Sequence, residues 1–413
     1  MAHRVDIEQA RQLVNARLDE LSSQLRTVNK AIHENPEPAY KEFRAHDTIT
    51  SFLEELGFDV KRKTWGLDTS FEATIGSGGR QVVVCCEYDA LPDIGHGCGH
   101  NLIATSSLAA FLGAAHALAE LGVPGRLRIL GTPAEEGGGG KAKLIDAGAF
   151  SPARDIAASI MAHPISVNLV NGSGGGDVSG VAGFDLIASH KFRVEFRGVT
   201  AHAAGEPWNG VNALDAAVAA YNNVSLLRQQ IRPDERIHGV IEVGGTVPNV
   251  ITDYTRMNWY VRSPTSSRGE LLVRRVKACI EAAGVATACE VNYIPAATYE
   301  HVISNPTLCR TYVEDMGKLG ERVEIGLPVS FNASTDMGNV THVVPGIHGG
   351  FGIQTGPNVA LHSREFAAAA GTDEAHEAAM KSGKGMAMLA LRVLVDDAIA
   401  ESARAEFDKR YEQ

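Results

Sequence analysis

Apolar side chains recur at Ile7, Val14, Leu18, Leu21, Leu25, Val28 and Ile32. That three-and-four spacing puts them on one stripe of a helix over residues 6–33, with a long polar face opposite. The two prolines of HENPEPAY break it. A second helix is expected over about 46–56, with Gly57 as the residue just past its end. Strands are expected near 58–61, 71–75 and 81–87, the last built on the apolar run Val82-Val83-Val84-Cys85-Cys86. A helix over 102–121 follows, then a strand over 126–130, the loop GTPAEEGGGG and a short helix ending near 147. The strand over 156–162 ends in His163. Strands alternating with helices predict an α/β sheet with helices on its faces.

The hydrophobic pattern changes over residues 186–297. A strand (191–196), a helix (211–227), two strands (238–243 and 250–261), a helix (269–283) and a strand (287–294) give the order β-α-β-β-α-β. This is the ferredoxin-like α+β pattern, and it reads as a self-contained insertion. The domains are therefore 1–185 with 298–413, and 186–297. Helix–strand alternation then resumes, and the final helix is expected over about 372–394. The clusters Gly137–Gly140 and Gly172–Gly176 read as loops because each sits between strong elements.

Composition narrows the function classes. The 413 residues are 44% hydrophobic and 21% charged, as in an ordinary soluble protein, and the net charge is -11. That sign argues against nucleic acid or an anionic membrane as partner. No apolar run approaches the roughly 20 residues of a membrane span, and the N-terminus lacks the apolar core of a secretory signal. The six cysteines are not spaced as a disulfide framework, so a cytoplasmic location is expected.

Candidate chemistry concentrates in CCEYDALPDIGHGCGHNLI, residues 85–103, and in Glu135-Glu136. A buried strand runs into a glycine-rich turn that carries His96, Cys98 and His100, at the strand edge where open α/β sheets build sites. Thiolate, imidazole and carboxylate together suit zinc or a neighbouring transition metal. Cys98 and His100 flank one glycine, which lets both face one ion; taken alone, a buried cysteine beside a solvated histidine explains them equally well. Glu135-Glu136 needs a positive partner to stay ionised. One carboxylate can ligate while its neighbour takes a proton from water. A lone acidic pair is more often a solvated loop, but an apolar strand leads in here and glycines lead out. His163 alone reads as a core histidine, His362 as a surface one. His202, in GVTAHAAGEPWNG, is harder to explain by packing.

Together these residues resemble the M20 metallopeptidase family. EYDALPDIGHGCGHNLIA looks like its subgroup of amidohydrolases, which includes aminobenzoyl-glutamate and auxin-conjugate hydrolases. HENPEPAYKE, GTPAEEGGGGK, MAHP, GVTAHAA, TVPNVI, STDMGNVTHVVPGIH and ALHSREF follow in the family's order. GHGCGHNL and STDMGNV are most similar to the dipeptidase-like branch. The resemblance implies a zinc-peptidase-like catalytic domain, a mixed sheet flanked by helices, with an inserted lid and dimerisation domain. It implies a metal-dependent hydrolase of small amides, dipeptides or N-acyl amino acids, acting as a homodimer. Cys98, His100, Glu136, His163 and His362 would hold two divalent ions, and Glu135 would be the general base. Asp89 would orient a ligand from behind, His202 would reach the partner subunit's active site, and Asn249 would lie near substrate. Other branches bridge the metals with an aspartate where this chain has Cys98. Thiolate and imidazoles favour zinc, with manganese the second candidate. Two competing readings stand beside this one. A metal-free thiol hydrolase would use Cys98 with His100 or His96 as base. A non-catalytic metal-bound scaffold would usually lack Glu135, which is present.

Overall fold

The computed structural model describes residues 5–172, 176–327 and 332–411, so 173–175 of the second glycine cluster lie outside the described residues. The chain divides into two compact units. Unit 1 comprises 1–185, 302–331 and 336–413; unit 2 comprises 186–301 and 332–335. The inserted unit thus runs four residues beyond the expected boundary at 297 and takes back a short later segment.

The strands among the described residues are, in chain order, β1 (Val60–Arg62), β2 (Phe71–Ser77), β3 (Gln81–Cys86), β4 (Gly125–Gly131), β5 (Ile156–Ser166), β6 (Val178–Val181), β7 (Ala188–Arg197), β8 (Arg236–Val243), β9 (Tyr254–Ser263), β10 (Glu290–Pro295), β11 (Arg322–Glu324) and β12 (Gly346–Ile353). In unit 1 the sheet order is β1-β2-β4-β3-β5-β12-β6-β11. Strands β4, β3, β5 and β12 are mutually parallel, while β2 pairs antiparallel with β4 and β6 antiparallel with β12. This is the expected mixed α/β sheet.

The apolar run of β3 is explained by burial on both faces. Val82, Val84 and Cys86 enter the core shared with the helices Ile7–His33, His100–Leu121 and Asp373–Val395. Val83 and Cys85 enter a second core with Leu130, Leu144, Met161, Met337 and Val340. Against the expectation that no apolar run approaches a membrane span, His100–Leu121 is long and apolar enough to cross one, but it is buried over most of its length, packed against Ile7–His33 and Asp373–Val395. Glycine allows those helices to approach: a Cβ on Gly383 would lie 2.5 Å from Ala109, and one on Gly113 3.0 Å from Val14.

Two of the departures from expectation shape the surroundings of the site and the core. Strand β5 does not stop at His163 but continues through Pro164 to Ser166, paired with β12 (His163 with Gly350, Pro164 with Phe351). Its other neighbour, β3, pairs only as far as Ile160, so the missing N–H of Pro164 breaks no ladder on that side. The helix Asp373–Val395 is not the last, since Asp397–Asp408 follows, capped by Asp396 and buried through Ile399, Ala400, Ala403 and Phe407.

Unit 2 carries an antiparallel sheet in the order β10-β7-β9-β8, the ferredoxin-like arrangement. Strand β9 alternates: Thr255, Met257, Trp259, Val261 and Ser263 are buried, while the residues between them are more open. The buried set packs with Phe192, Val194 and Phe196 against the helices Ala213–Leu226 and Ser266–Thr287. Trp259 fills this core beneath Gly239, where a Cβ would lie 2.4 Å from its ring. Trp259→Ala is expected to cost unit 2 about 3–5 kcal/mol, read as a lower midpoint in denaturant unfolding. A midpoint within error of wild type would contradict the packing described.

Candidate metal centre

Strand β3 ends where the chemistry begins. Glu87 and Asp89 follow it directly, both nearly fully buried. The turn after them closes on Gly99, left-handed at φ +77°, which leads into the first helical residue, His100. A Cβ on Gly99 would lie 2.5 Å from the Pro164 ring, so both conformation and space demand glycine there. Cys98 and His100 thereby turn toward the same place as His163 from β5.

The histidine candidates and the Glu136 backbone are held by partners. His100 Nδ1 lies 3.1 Å from Asp89 Oδ1, which presents Nε2 inward. Asp89 Oδ2 accepts from the Glu136 amide at 2.8 Å. His163 Nδ1 lies 2.7 Å from the Pro164 carbonyl, leaving its Nε2 3.4 Å from Cys98 Sγ. His362 adopts φ +63°, donates its amide to the Gly97 carbonyl at 2.9 Å, and places Nε2 3.3 Å from Glu136 Oε1. The loop carrying the glutamates is pinned by the sequence after the first helix: Tyr40 Oη donates to the Gly138 carbonyl, and Glu42 accepts from the Ala134 amide.

At this site three sets of donor atoms lie mutually within 4.8 Å: Cys98, His100 and His163; Cys98, Glu136 and His362; and His100, Glu135 and Glu136. The structure thus brings together all five residues expected as ligands, with Glu135 beside them and Cys98 common to two sets. His100 Nε2, Glu136 Oε1 and Glu87 Oε2 are buried without a hydrogen-bond partner among the described residues. Such atoms are rare in native interiors, and here they converge: Nε2 is 3.5 Å from Glu87 Oε2 and 4.0 Å from Glu136 Oε1. The donor set fits divalent metal.

The electrostatics agree. Burial, then the charge of His100, lowers the His163 pKa to about 3, so its imidazole is neutral and free to ligate. Burial, reinforced by Glu136, raises the Glu135 carboxyl well above its usual range. Burial and Glu136 raise the Cys98 thiol likewise. Thiolate at Cys98 therefore needs a cation beside it, which weighs against the unassisted thiol nucleophile. His96 is not grouped with Cys98 in any of these donor sets, and its Nε2 meets the Ile32 carbonyl at 3.1 Å.

One feature of the site was not legible in the sequence. Lys141 is fully buried, with Nζ 2.5 Å from Glu87 Oε1 and 2.7 Å from Asp336 Oδ1, while Asp336 Oδ2 also accepts the Lys141 amide. A lysine after four glycines reads as solvated, and Asp336 is 195 residues away in sequence. His202 and Asn249 belong to unit 2. They are neighbours, with the Ala203 amide donating to the Asn249 carbonyl at 3.1 Å. His202 Nδ1 accepts from the amides of Ala204 and Gly205 at 3.2 and 2.9 Å, so the neutral ring carries its proton on Nε2, and the residue is exposed.

The family model described as Peptidase family M20/M25/M40 matches residues 86–382. An Xaa-Arg dipeptidase from Mus musculus is 40% identical over 420 residues, covering 97% of this chain and 93% of that protein. A p-aminobenzoyl-glutamate hydrolase component from Escherichia coli (strain K12) is 28% identical over 299 residues, covering 66% of this chain and 59% of that protein. Among solved structures, a dinuclear metal-binding peptidase of the M20 family from Bacillus subtilis superposes with a TM-score of 0.64 at 18% identity, covering 91% of this chain and 99% of its own. At that identity the superposition shows the shared fold.

Asp89 binds His100 and the Glu136 amide at once, so it aims two donors. Asp89→Asn is expected to weaken divalent-metal binding about 10–100-fold, measured by competition with a chromogenic chelator. Wild-type affinity in the folded variant would remove Asp89 from that role.

Proposed function

The chain belongs to peptidase family M20/M25/M40, a metal-dependent amide hydrolase of dipeptide or N-acyl amino acid type, and we propose how its residues divide the work. Cys98, His100, Glu136, His163 and His362 hold two divalent ions, zinc first and manganese second. Glu135 is the general base. The observation that carries this reading is the pair of donor sets sharing Cys98, with orphaned buried atoms facing one another and Glu135 alongside. The similarity to an Xaa-Arg dipeptidase makes dipeptides with a basic C-terminal residue the first substrates to screen.

When bound, the ions supply Lewis-acid polarisation of the amide carbonyl and make water a better nucleophile near neutral pH. The chain's own groups do the rest. Asp89 and the Pro164 carbonyl fix the ring orientations of His100 and His163. Glu135 takes the proton of the attacking water and returns it to the leaving amine. A carboxylate that burial makes more basic suits that task. His202 donates from Nε2 to the developing oxyanion in the partner subunit's site, and Asn249 lines the same approach. Support for a homodimer through unit 2 comes from its surface: Trp208 and Leu226 are 76% and 75% exposed, and Val240 and Ile241 stand open on edge strand β8. All six cysteines are free, in keeping with a cytoplasmic enzyme.

The contact between Cys98 and His163 keeps one second reading in play, a thiol hydrolase with His163 as base. A chelator separates the two. Protein purified without chelator is expected to hold about two divalent ions per chain by elemental analysis and to lose dipeptide hydrolysis when they are stripped. Full activity in excess chelator would establish the thiol reading instead. Glu135→Gln is expected to keep the ions while turnover falls about 10²–10⁴-fold. Near-normal turnover would put the base elsewhere.

The role of His202 has its own test. Glu135→Gln and His202→Ala proteins, each inactive, are mixed and allowed to exchange subunits. Activity should return, because one site of the mixed dimer would combine intact Glu135 with an intact His202 from the other chain. Demonstrated exchange with activity still at the parental level would confine His202 to its own chain or to no catalytic role.

A further inference from the structure

We propose that Glu87 is a further carboxylate ligand of the metal centre, held in position by Lys141; the proposal rests on the metal-dependent reading above. Glu87 is the first residue past β3 and is 1% exposed. Its two oxygens have different surroundings. Oε1 is taken by Lys141 Nζ. Oε2 faces His100 Nε2 at 3.5 Å, and no hydrogen bond joins them, so both atoms are unpartnered among the described residues.

The spacing is that of co-ligands. Two donors on one tetrahedral ion, each with a bond of about 2.0–2.2 Å, stand about 3.3–3.6 Å apart. His100 Nδ1 is committed to Asp89, so Nε2 is the atom this ring offers to an ion. Once Nε2 serves an ion, it has no hydrogen for Glu87 Oε2 to accept. The oxygen then binds the same ion or stays buried without a partner, which interiors avoid.

Charge points the same way. Lys141 touches Asp336 as well as Glu87, so this fully buried trio sets one basic group against two carboxyl groups. A lysine serving only structure would be neutralised by Asp336 alone. The second carboxyl is Glu87's, and the oxygen that Lys141 does not reach is left without a partner among the described residues. Buried charge persists where it is paired or coordinates metal. Lys141 therefore acts as a positioning residue: it fixes one oxygen of Glu87 and so turns the other toward His100.

The test uses the full wild-type chain crystallised with Mn²⁺ and located by anomalous scattering. One peak is expected within about 2.0–2.3 Å of both Glu87 Oε2 and His100 Nε2. In solution, chelator competition on Glu87→Gln is expected to show one of the two ions bound about 10-fold or more weakly. Peaks seated on Cys98 and its neighbours with Glu87 Oε2 more than about 3 Å from each would overturn this proposal and leave the metal-dependent reading intact. Unchanged affinity for both ions in a folded Glu87→Gln protein would do the same. If that variant does not fold, the wild-type crystals decide. A chain that takes up no divalent ion would overturn the proposal and the metal-dependent reading together.

Discussion

Negative charge buried at the carboxyl end of β3 is the constraint on which the site depends. Glu87, Asp89, Glu135 and Asp336 are all nearly fully buried there, with Glu136 beside them. Lys141 answers part of that charge from the interior. Asp89 is held by the His100 imidazole, whose proximity and hydrogen bond keep the Asp89 carboxyl below its ordinary value although burial alone would raise it. What remains is concentrated on atoms without partners, and those atoms face the histidine and thiol donors. An interior of low polarity tolerates such an arrangement only when a cation completes it. The geometry of the donors and the electrostatics of the site are thus two aspects of one requirement.

The fold meets that requirement by bringing distant segments to one sheet edge. Strand β3 supplies Glu87 and Asp89, the turn before His100–Leu121 supplies Cys98 and His100, and the loop after β4 supplies the glutamates. Strand β5 supplies His163, and a left-handed residue after β12 supplies His362. The neighbours of these residues are packing solutions. Gly99 admits the Pro164 ring, Tyr40 and Glu42 pin the glutamate loop, and Asp336 ties Lys141 from the far end of the sequence. Unit 2 is built on other terms. Its core is a single apolar face under two helices, and its exposed side chains, not its buried ones, are the reason to expect a partner.

The elements were legible where one period dominated. The stripe from Ile7 to Ile32, the run through β3 and the β-α-β-β-α-β order of unit 2 each appear as elements within a few residues of where the sequence puts them. The end of β5 was not, because proline after histidine reads as a stop. Only the pairing with β12, and the absence of β3 beyond Ile160, makes a strand permissible there. The helix Asp397–Asp408 was missed because its stripe is short and half alanine.

For the site, residue type and motif order determined which groups were candidates: thiol, imidazole and carboxylate pairs at turns are chemistry that local sequence displays. Local sequence could not show which nitrogen of each histidine faces inward, because that depends on Asp89 and on the Pro164 carbonyl. Nor could it separate His96 from His100, two alternate members of one turn, of which one meets the Ile32 carbonyl and the other the cluster of thiol, imidazole and carboxylate donors. Glu87 and Lys141 lay in quoted motifs without a role. Their meaning comes from burial and from Asp336, 195 residues beyond Lys141. Sequence fixes the chemical identity of a donor, whereas its aim, its charge and its partners are set by desolvation and by contacts between segments that only the folded chain brings together.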